Sequence, residues 1–446
     1  MSKSVTWPSI TLGFGPLQII DGDRGKNYPS QQDFASTGYC LFLNAGNVTK
    51  DGFSFSDVSF INADKDNALG KGKLRRNDVI LTTRGTVGNS AYFDKTIPFN
   101  DVRINSGMVI LRADPSILDP YFLYLFVRSA NFNKQVTSLI TGSAQPQLPI
   151  RDMNRIGLSL PSLPEQRAIA SILGALDDKI ELNRKMSATL EAMARAIFKS
   201  WFVDFDPVRA KVQGQSIGLA SEIADFFPNV LERSEARYVP SGWNVQTLSS
   251  LCHSIERGLS PIYQPGSNRF IINQKVNRGS TLDLSQLKEL AINFNVGAAK
   301  MTQEWDVLVN CLGEGTLGRI YLFRSTESYA VDQHMAVCRP RNQGIGAFIY
   351  QILNSVDGQN TIESIKTGST GMTMLNISRL RDFPCLWPGK ALIDAYGESV
   401  RPIWKRINAA ERESQLLTAL RDLLLPKLIS GELRVSEAER ILEMSA

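Results

Sequence analysis

The fold is decided by a stretch that occurs twice, as DVILTTRGTVGNSAYF at residues 78–93 and as DVLVNCLGEGTLGRIYLF at residues 306–323. In each copy, two apolar runs flank a glycine-containing segment, which is typical of two strands joined by a turn. The order is kept further along the chain, because MVILR at 108–112 is followed by TGS at 141–143 and MAVCR at 335–339 is followed by TGS at 367–369. The sequence therefore predicts two similar strand-rich domains.

Each copy is followed by a long amphipathic segment, predicted to be helical over about residues 164–202 and 390–428. Apolar residues step by alternating four and three positions, which is the heptad pattern of a coiled coil. A stripe of this length has to be buried, so we favour antiparallel pairing of the two helices; the alternative is that each packs on its own domain. The predicted seam contains Ile169, Leu173, Leu176, Ile180, Asn183, Leu190, Ile197, Val400, Ile403, Ile407, Leu417 and Leu424.

These features predict an α+β fold, with two similar strand-rich α/β domains separated by two long antiparallel coiled-coil helices in a pseudo-twofold repeat. The predicted boundaries are a first domain at 1–162, a first spacer helix at 163–203, a connecting segment at 204–238, a second domain at 239–388, a second spacer helix at 389–432 and a C-terminal tail at 433–446.

Composition narrows the class of protein. The 446 residues carry a formal net charge of +5, a mild excess that permits local basic surfaces. No signal peptide or membrane-spanning stretch is expected, and the five cysteines form no CxxC pair, so we expect a cytoplasmic protein with reduced, mostly buried thiols. With only two histidines, a histidine-based metal site or general base is not expected.

Sequence motifs favour recognition over catalysis. GEGTLG at 313–318 has the GxGxxG spacing of a dinucleotide-binding loop, but a strand-like segment follows it where such a loop requires a helix. Neither a phosphate-binding GxxxxGK[ST] loop nor an Asn-Pro-Pro-aromatic motif is present. We therefore expect no catalytic site and no bound cofactor.

Three groups of polar side chains could contact a nucleic acid. For each group the sequence leaves a structural alternative open: a plain hairpin turn, an exposed loop or a solvated basic face. The turns contribute Arg84, Thr86, Asn89, Glu314, Thr316 and Arg319; the Thr-Gly-Ser loops contribute Ser143, Gln145, Gln147, Ser369 and Thr370; and a basic run contributes Lys71, Lys73 and Arg76.

Four strings resemble one known family, the specificity subunits of type I restriction-modification systems. They are LPSLPEQRAIA at 160–170, LDDKIE at 176–181, FVDFDPV at 202–208 and LRDLLLPKLISGEL at 420–433. The second copy departs from the pattern, with PGKA at 388–391 in place of the Pro-Glu-Gln helix start. Since recognition domains vary within the family, the resemblance assigns no base contacts.

The resemblance implies a non-catalytic DNA-recognition subunit. Each domain would bind one half of a bipartite target in double-stranded DNA. The helices would bind two modification (methyltransferase) subunits. Motor-nuclease subunits would join this core to form the full complex. Two other functions stay open: a two-domain scaffold for a non-DNA ligand, and a DNA-modifying enzyme that works alone.

Overall fold

The computed structural model describes residues 7–142, 145–233, 238–313, 315–368 and 373–445. The strands are β1 Ser9–Thr11, β2 Leu17–Asp21, β3 Cys40–Leu43, β4 Val48–Thr49, β5 Gly52–Phe53, β6 Phe60–Ile61, β7 Asp78–Thr82, β8 Ser90–Phe93, β9 Val102–Ile104, β10 Met108–Ala113, β11 Gly157–Ser159, β12 Leu231–Arg233, β13 Tyr238–Pro240, β14 Asn244–Thr247, β15 Cys252–Arg257, β16 Phe270–Ile272, β17 Lys288–Glu289, β18 Val307–Asn310, β19 Ile320–Leu322, β20 Ala330–Val331, β21 Met335–Pro340, β22 Lys366–Thr367, β23 Met374–Leu375 and β24 Pro384–Trp387.

Two of the helices are about forty residues long, and the others are short. The helices are α1 Ala63–Ala68, α2 Pro120–Arg128, α3 Ala130–Leu139, α4 Ile150–Met153, α5 Leu163–Phe202, α6 Asp206–Val212, α7 Ser221–Ala224, α8 Leu248–Leu251, α9 Gln343–Asn354, α10 Val356–Ser364, α11 Ile377–Arg381, α12 Lys390–Ser430 and α13 Val435–Ser445. In the described part of the chain, none of them combines the length and apolarity that crossing a membrane demands.

The chain forms two compact units, one from residues 1–182 with 414–446 and the other from residues 183–413. In the first unit, an antiparallel sheet has the order β2-β10-β7-β8, and a smaller sheet has the order β6-β3-β9 with β3 parallel to β9. Buried aliphatic residues of β7 and β10 pack against α2 on one side of the larger sheet and against the smaller sheet on the other.

The second unit repeats this topology strand for strand. Its antiparallel sheet has the order β15-β21-β18-β19, and its smaller sheet has the order β17-β16-β20 with β16 parallel to β20. The pairs β1–β11 and β14–β24 also correspond. The internal repeat seen in the sequence is therefore a repeat of the fold.

The long helices run antiparallel within each unit. In the first unit, Arg421 on α12 donates to the Asp177 carboxylate on α5 at 2.8 Å. In the second unit, Asn183 Nδ2 on α5 donates to Glu413 Oε2 at 2.8 Å, and Tyr396 near the start of α12 packs on Phe202 near the end of α5. The α+β class and the antiparallel helix pair predicted from the sequence agree with this structure.

The predicted seam is buried to different depths. The helices pair with each other and also pack on the domain cores, so the two packing alternatives are not exclusive. The buried members are Ile169, Leu173, Leu176, Asn183, Val400, Ile407 and Leu424, whereas Ile180, Leu190, Ile197, Ile403 and Leu417 are half-buried.

All five cysteines are free and buried. Cys252, Cys311, Cys338 and Cys385 belong to one core of the second unit. Burial raises the pKa of the Cys252, Cys311 and Cys385 thiols to about 12. These thiols are packing groups because the thiolate, the reactive form, is disfavoured.

Candidate nucleic-acid interface

The turn between β7 and β8 is held by hydrogen bonds from its backbone N–H groups to Thr82. The N–H of Gly88 donates to the Thr82 carbonyl at 3.0 Å, and the N–H of Asn89 donates to the Thr82 hydroxyl at the same distance. Gly85 and Gly88 have φ of +72° and +97°, which favours glycine at both positions. The turn therefore holds a fixed shape while it exposes residues 85 and 86.

The turn between β18 and β19 ends, on its C-terminal side, in the same way as the first turn. The N–H of Gly318 donates to the Asn310 carbonyl at 2.9 Å, and Gly315 and Gly318 have φ of +70° and +83°. The GxGxxG sequence thus joins two antiparallel strands, as its flanking residues predicted. This arrangement differs from a dinucleotide-binding loop, which opens a helix.

Two further segments meet each turn. In the first unit, the N–H of Leu148 donates to the Thr83 carbonyl at 2.9 Å, and the N–H of Thr83 donates to the Gly107 carbonyl at 2.8 Å. We call residues 83–89, 105–107, 141–142 and 145–148 the first tip; the second tip consists of their counterparts at 311–313, 315–319, 332–334, 366–368 and 373–375.

The second tip is held by equivalent bonds. The N–H of Leu375 donates to the Cys311 carbonyl at 2.9 Å, and the N–H of Cys311 donates to the His334 carbonyl at 2.8 Å. The two tips therefore share these backbone hydrogen bonds, although their side chains differ.

Backbone pairing aligns the two turns with each other. Arg84 pairs with Gln147 as Leu312 pairs with Met374, so the counterpart of Arg84 in the repeat is Leu312. The second turn is two residues longer than the first. The length difference could not be located by matching the glycines alone, because they lie beyond the insertion.

Several predicted contact residues are available at the tips. Thr86 and Gln145 are exposed, and Arg84, Gln147 and Thr316 are half-exposed. Within the described ranges, no hydrogen bond or ion pair engages the Arg84 guanidinium. Ser143, Glu314, Ser369 and Thr370 lie outside the described residues.

Asn89 and Arg319 hold the turns in place. Asn89 Nδ2 donates to the Val48 carbonyl at 3.0 Å, and the Arg319 guanidinium donates to the carbonyls of Asn277 and Gly315 at 3.4 and 3.0 Å. These partners are distant in sequence or belong to the turn itself. The interpretation of both side chains as groove-facing readers did not anticipate this internal role.

The basic run is also partly internal. Lys73 forms ion pairs with Asp66 and Asp101, and Arg76 donates to the carbonyls of Asp94, Ile97 and Phe99 while lying 4.3 Å from the Phe93 ring centroid. Lys71 is exposed, and its ammonium has no ion pair in the described part of the chain. Of the three predicted phosphate contacts, Lys71 is the one whose charge faces solvent without a partner there.

Sequence reasoning missed two ion pairs that join neighbouring strands of the larger sheets, at the end opposite the tips. Arg112 donates through two nitrogens to Asp78 at 2.8 and 2.6 Å, and Arg339 donates likewise to Asp306 at 3.1 and 2.9 Å. Both carboxylates are buried at the start of the strand that leads into the turn. Their signal in the sequence was the recurrence of an Asp and an Arg at matching positions of the repeat.

The described residues contain no cluster of side chains that could bind a metal ion. No group of three His, Cys, Asp or Glu side chains there is placed to hold an ion. What the two tips offer instead is a rigid backbone edge with hydroxyl, amide and guanidinium groups, which is the chemistry that contacts phosphates and base edges.

The fold defines a class of protein, one with two copies of an α/β domain, each with its own tip, and an antiparallel helix pair. Comparison with known proteins shows what the chain is similar to. The profile of the type I restriction modification DNA specificity domain matches residues 18–192. Over most of its length the chain is similar to specificity subunits of type I restriction-modification systems.

Individual relatives match over most of their length. The HindI specificity subunit of Haemophilus influenzae is 25% identical, over 92% of this chain and 98% of its own. The MjaIX specificity subunit of Methanocaldococcus jannaschii is also 25% identical, over 80% and 78% of the two chains. The crystal structure of an S subunit from M. genitalium has a TM-score of 0.52 at 15% identity and covers 96% of this chain and 97% of its own, which supports the same fold.

Proposed function

We propose that this chain is the DNA-recognition subunit of a type I restriction-modification complex, in which each tip binds one half of a bipartite target. The observation that carries the proposal is the duplicated tip: one backbone frame presents Arg84 and Gly107 in one unit and Leu312 and His334 in the other. A protein that reads two unlike half-sites needs this combination of a common frame and different side chains.

The side chains suit a DNA surface. Arg84 has the bidentate geometry that reads guanine, Gln147 and Gln145 have amides that suit adenine, and Lys71 offers a charge for phosphate. The predicted roles of Thr86, Ser143, Glu314, Thr316, Ser369 and Thr370 stay predictions.

In this proposal the chain carries out no chemistry itself and works on DNA in the cytoplasm. Methyl transfer and DNA cleavage belong to two modification subunits and to motor-nuclease subunits, and the long helices provide the docking surface for the former. Three exposed leucines on the helices of the first unit support this: Leu182, Leu416 and Leu423 are 58%, 73% and 56% exposed. Leu416 and Leu423 are seven residues apart and therefore share one face of α12, where grouped apolar side chains suit a contact with a partner.

The proposed domain boundaries follow the repeat. We assign target recognition to residues 1–162 and 239–388, and docking to the spacer helices at 163–203 and 389–432. Residues 204–238 connect them, and the tail begins at 433.

The test is to purify the chain with and without its modification subunit and to supply each preparation with S-adenosylmethionine and genomic DNA. Single-molecule sequencing should find one bipartite methylated motif, produced by the complex and not by the chain alone. Methyl transfer by the pure chain would indicate a stand-alone enzyme, and methylation without sequence preference would contradict recognition by this subunit.

A matched pair of variants makes the test specific to the tip. Arg84→Ala should weaken binding of the complex to its target duplex about tenfold. Arg155→Ala removes a side chain of the same unit that is 73% exposed and outside the tip, and it should leave binding unchanged.

A further inference from the structure

The second tip carries a side chain where the first tip has none. In both units a short turn precedes the central strand of the larger sheet. Asn105 Oδ1 accepts the N–H of Gly107 at 2.9 Å, and Asp332 Oδ1 accepts the N–H of His334 at 2.8 Å. The two turns have the same hydrogen bond, so the imidazole of His334 stands at the position of a bare Gly107.

His334 lies between two loops of the second unit. Its carbonyl accepts the N–H of Cys311 at 2.8 Å, which joins it to the turn at 311–319. The preceding residue, Gln333, donates its N–H to the Leu259 carbonyl at 2.8 Å, and its side chain accepts a hydrogen bond from the Ser260 hydroxyl. The His334 side chain is 32% exposed in this position.

A buried carboxylate orients the imidazole. The Asp332 side chain is 1% exposed, and one of its oxygens contacts His334 Nδ1. The other accepts a hydrogen bond from the Tyr263 hydroxyl at 3.1 Å. Since an ionised carboxylate only accepts, Nδ1 carries a proton toward Asp332, and Nε2 is left for a partner outside the domain.

The fold itself does not need this side chain. The first unit forms the same turn and the same strand pairing with glycine at the matching position. A carboxylate that fixes a histidine through one ring nitrogen is an arrangement that proteins use to direct the other nitrogen at a ligand.

We infer that His334 is a specificity-determining residue of the second unit, contacting the DNA half-site through Nε2 while Asp332 acts as its positioning residue. This inference rests on the proposed function. Nε2 of the imidazole would accept a hydrogen bond from the amino group of cytosine or adenine in the major groove.

The experiment uses the complex with its modification subunit and compares His334→Ala, His334→Gln and Asp332→Asn with His253→Ala. His253 is the other histidine of the chain and is exposed on β15, so its variant controls for loss of an imidazole. Binding to the target duplex is measured over a range of salt concentrations, and the methylated motif is sequenced for each complex. Thermal unfolding of every variant establishes that it is folded.

We expect His334→Ala to weaken binding about tenfold, Asp332→Asn to weaken it less, His334→Gln to recover part of the loss, and the control to match wild type. A base contact would relax one position within one half of the motif. Weaker binding with an intact motif and a salt dependence lowered by about one charge would identify a phosphate contact and would overturn the specificity-determining role.

Unchanged affinity and motif in His334→Ala, beside a wild-type complex that binds its motif, would overturn the inference and leave the proposed function standing. A wild-type complex that binds no bipartite DNA would overturn both.

Discussion

Arg324 is the most deeply buried cation described in the second unit. Its side chain is 2% exposed, and its guanidinium lies 4.9 and 5.4 Å from the ring centroids of Tyr321 and Trp404. It donates to Glu411 Oε1 on α12 at 2.6 Å. Burial raises the pKa of the Glu411 carboxyl even though Arg324 acts in the opposite direction. The pair therefore joins the segment after β19 to α12. Removing both charges from water lowers the net stability that the pair contributes.

Removing Arg324 alone should destabilise the protein more than removing Arg324 and Glu411 together. Arg324→Met leaves Glu411 buried without its cation and should lower the free energy of unfolding by about 3–5 kcal/mol in a urea titration followed by tryptophan fluorescence. Adding Glu411→Leu should recover most of that loss.

The exposed pair between Arg401 and Glu398 on the same helix provides the control, and Arg401→Met should change stability by less than about 1 kcal/mol. Glu411→Leu is also measured alone. If the double variant is destabilised by the sum of the two single changes, Arg324 and Glu411 do not act as a pair.

At the scale of elements, the helices were the most predictable part of the molecule. The heptad pattern placed the first helix at about 164–202, and α5 runs from Leu163 to Phe202. The second continues through Pro402 and Pro426 to Ser430, slightly beyond the predicted end. In long periodic segments the spacing of apolar residues indicates the helix directly, so the predicted bounds lie close to the observed ones.

The short strands and the tip side chains were less predictable. Strands such as β4 and β5 contain two residues each, too few to show a period. Whether Asn89 faces a groove or holds the turn depends on the Val48 carbonyl, which is remote in sequence. Patterns in the sequence could nominate the tips but not decide which polar groups are already engaged.

The exposed leucines of α12 give a prediction for the docking surface. Leu416→Glu together with Leu423→Glu should prevent purification of the modification subunit with the tagged chain, because an apolar contact cannot tolerate two unpaired charges.

Val356→Glu is the matched control, since Val356 is 78% exposed on α10 and lies off the long helices. The two-leucine variant should still unfold at the wild-type temperature. Retention of the modification subunit by a correctly folded variant would place the docking surface elsewhere.

At the scale of the whole molecule, the repeat predicts that each proposed recognition domain binds its half-site independently of the other. Each domain has its own two sheets and its own tip. Replacing residues 239–388 with the corresponding segment of a relative should therefore change one half of the methylated motif and leave the other, as read by single-molecule sequencing. Simultaneous change of both halves in an active complex would contradict independent reading.

The first unit is built from both ends of the described chain, and this affects its synthesis. Its core contains Phe122 and Leu173 but also Leu428 and Ala438, which leave the ribosome long after the first domain. The second unit lies between them in the sequence and can complete its core earlier. The earlier-translated part of the first unit thus completes its native packing after the second unit, and in the interval its uncovered apolar surface makes it prone to aggregation.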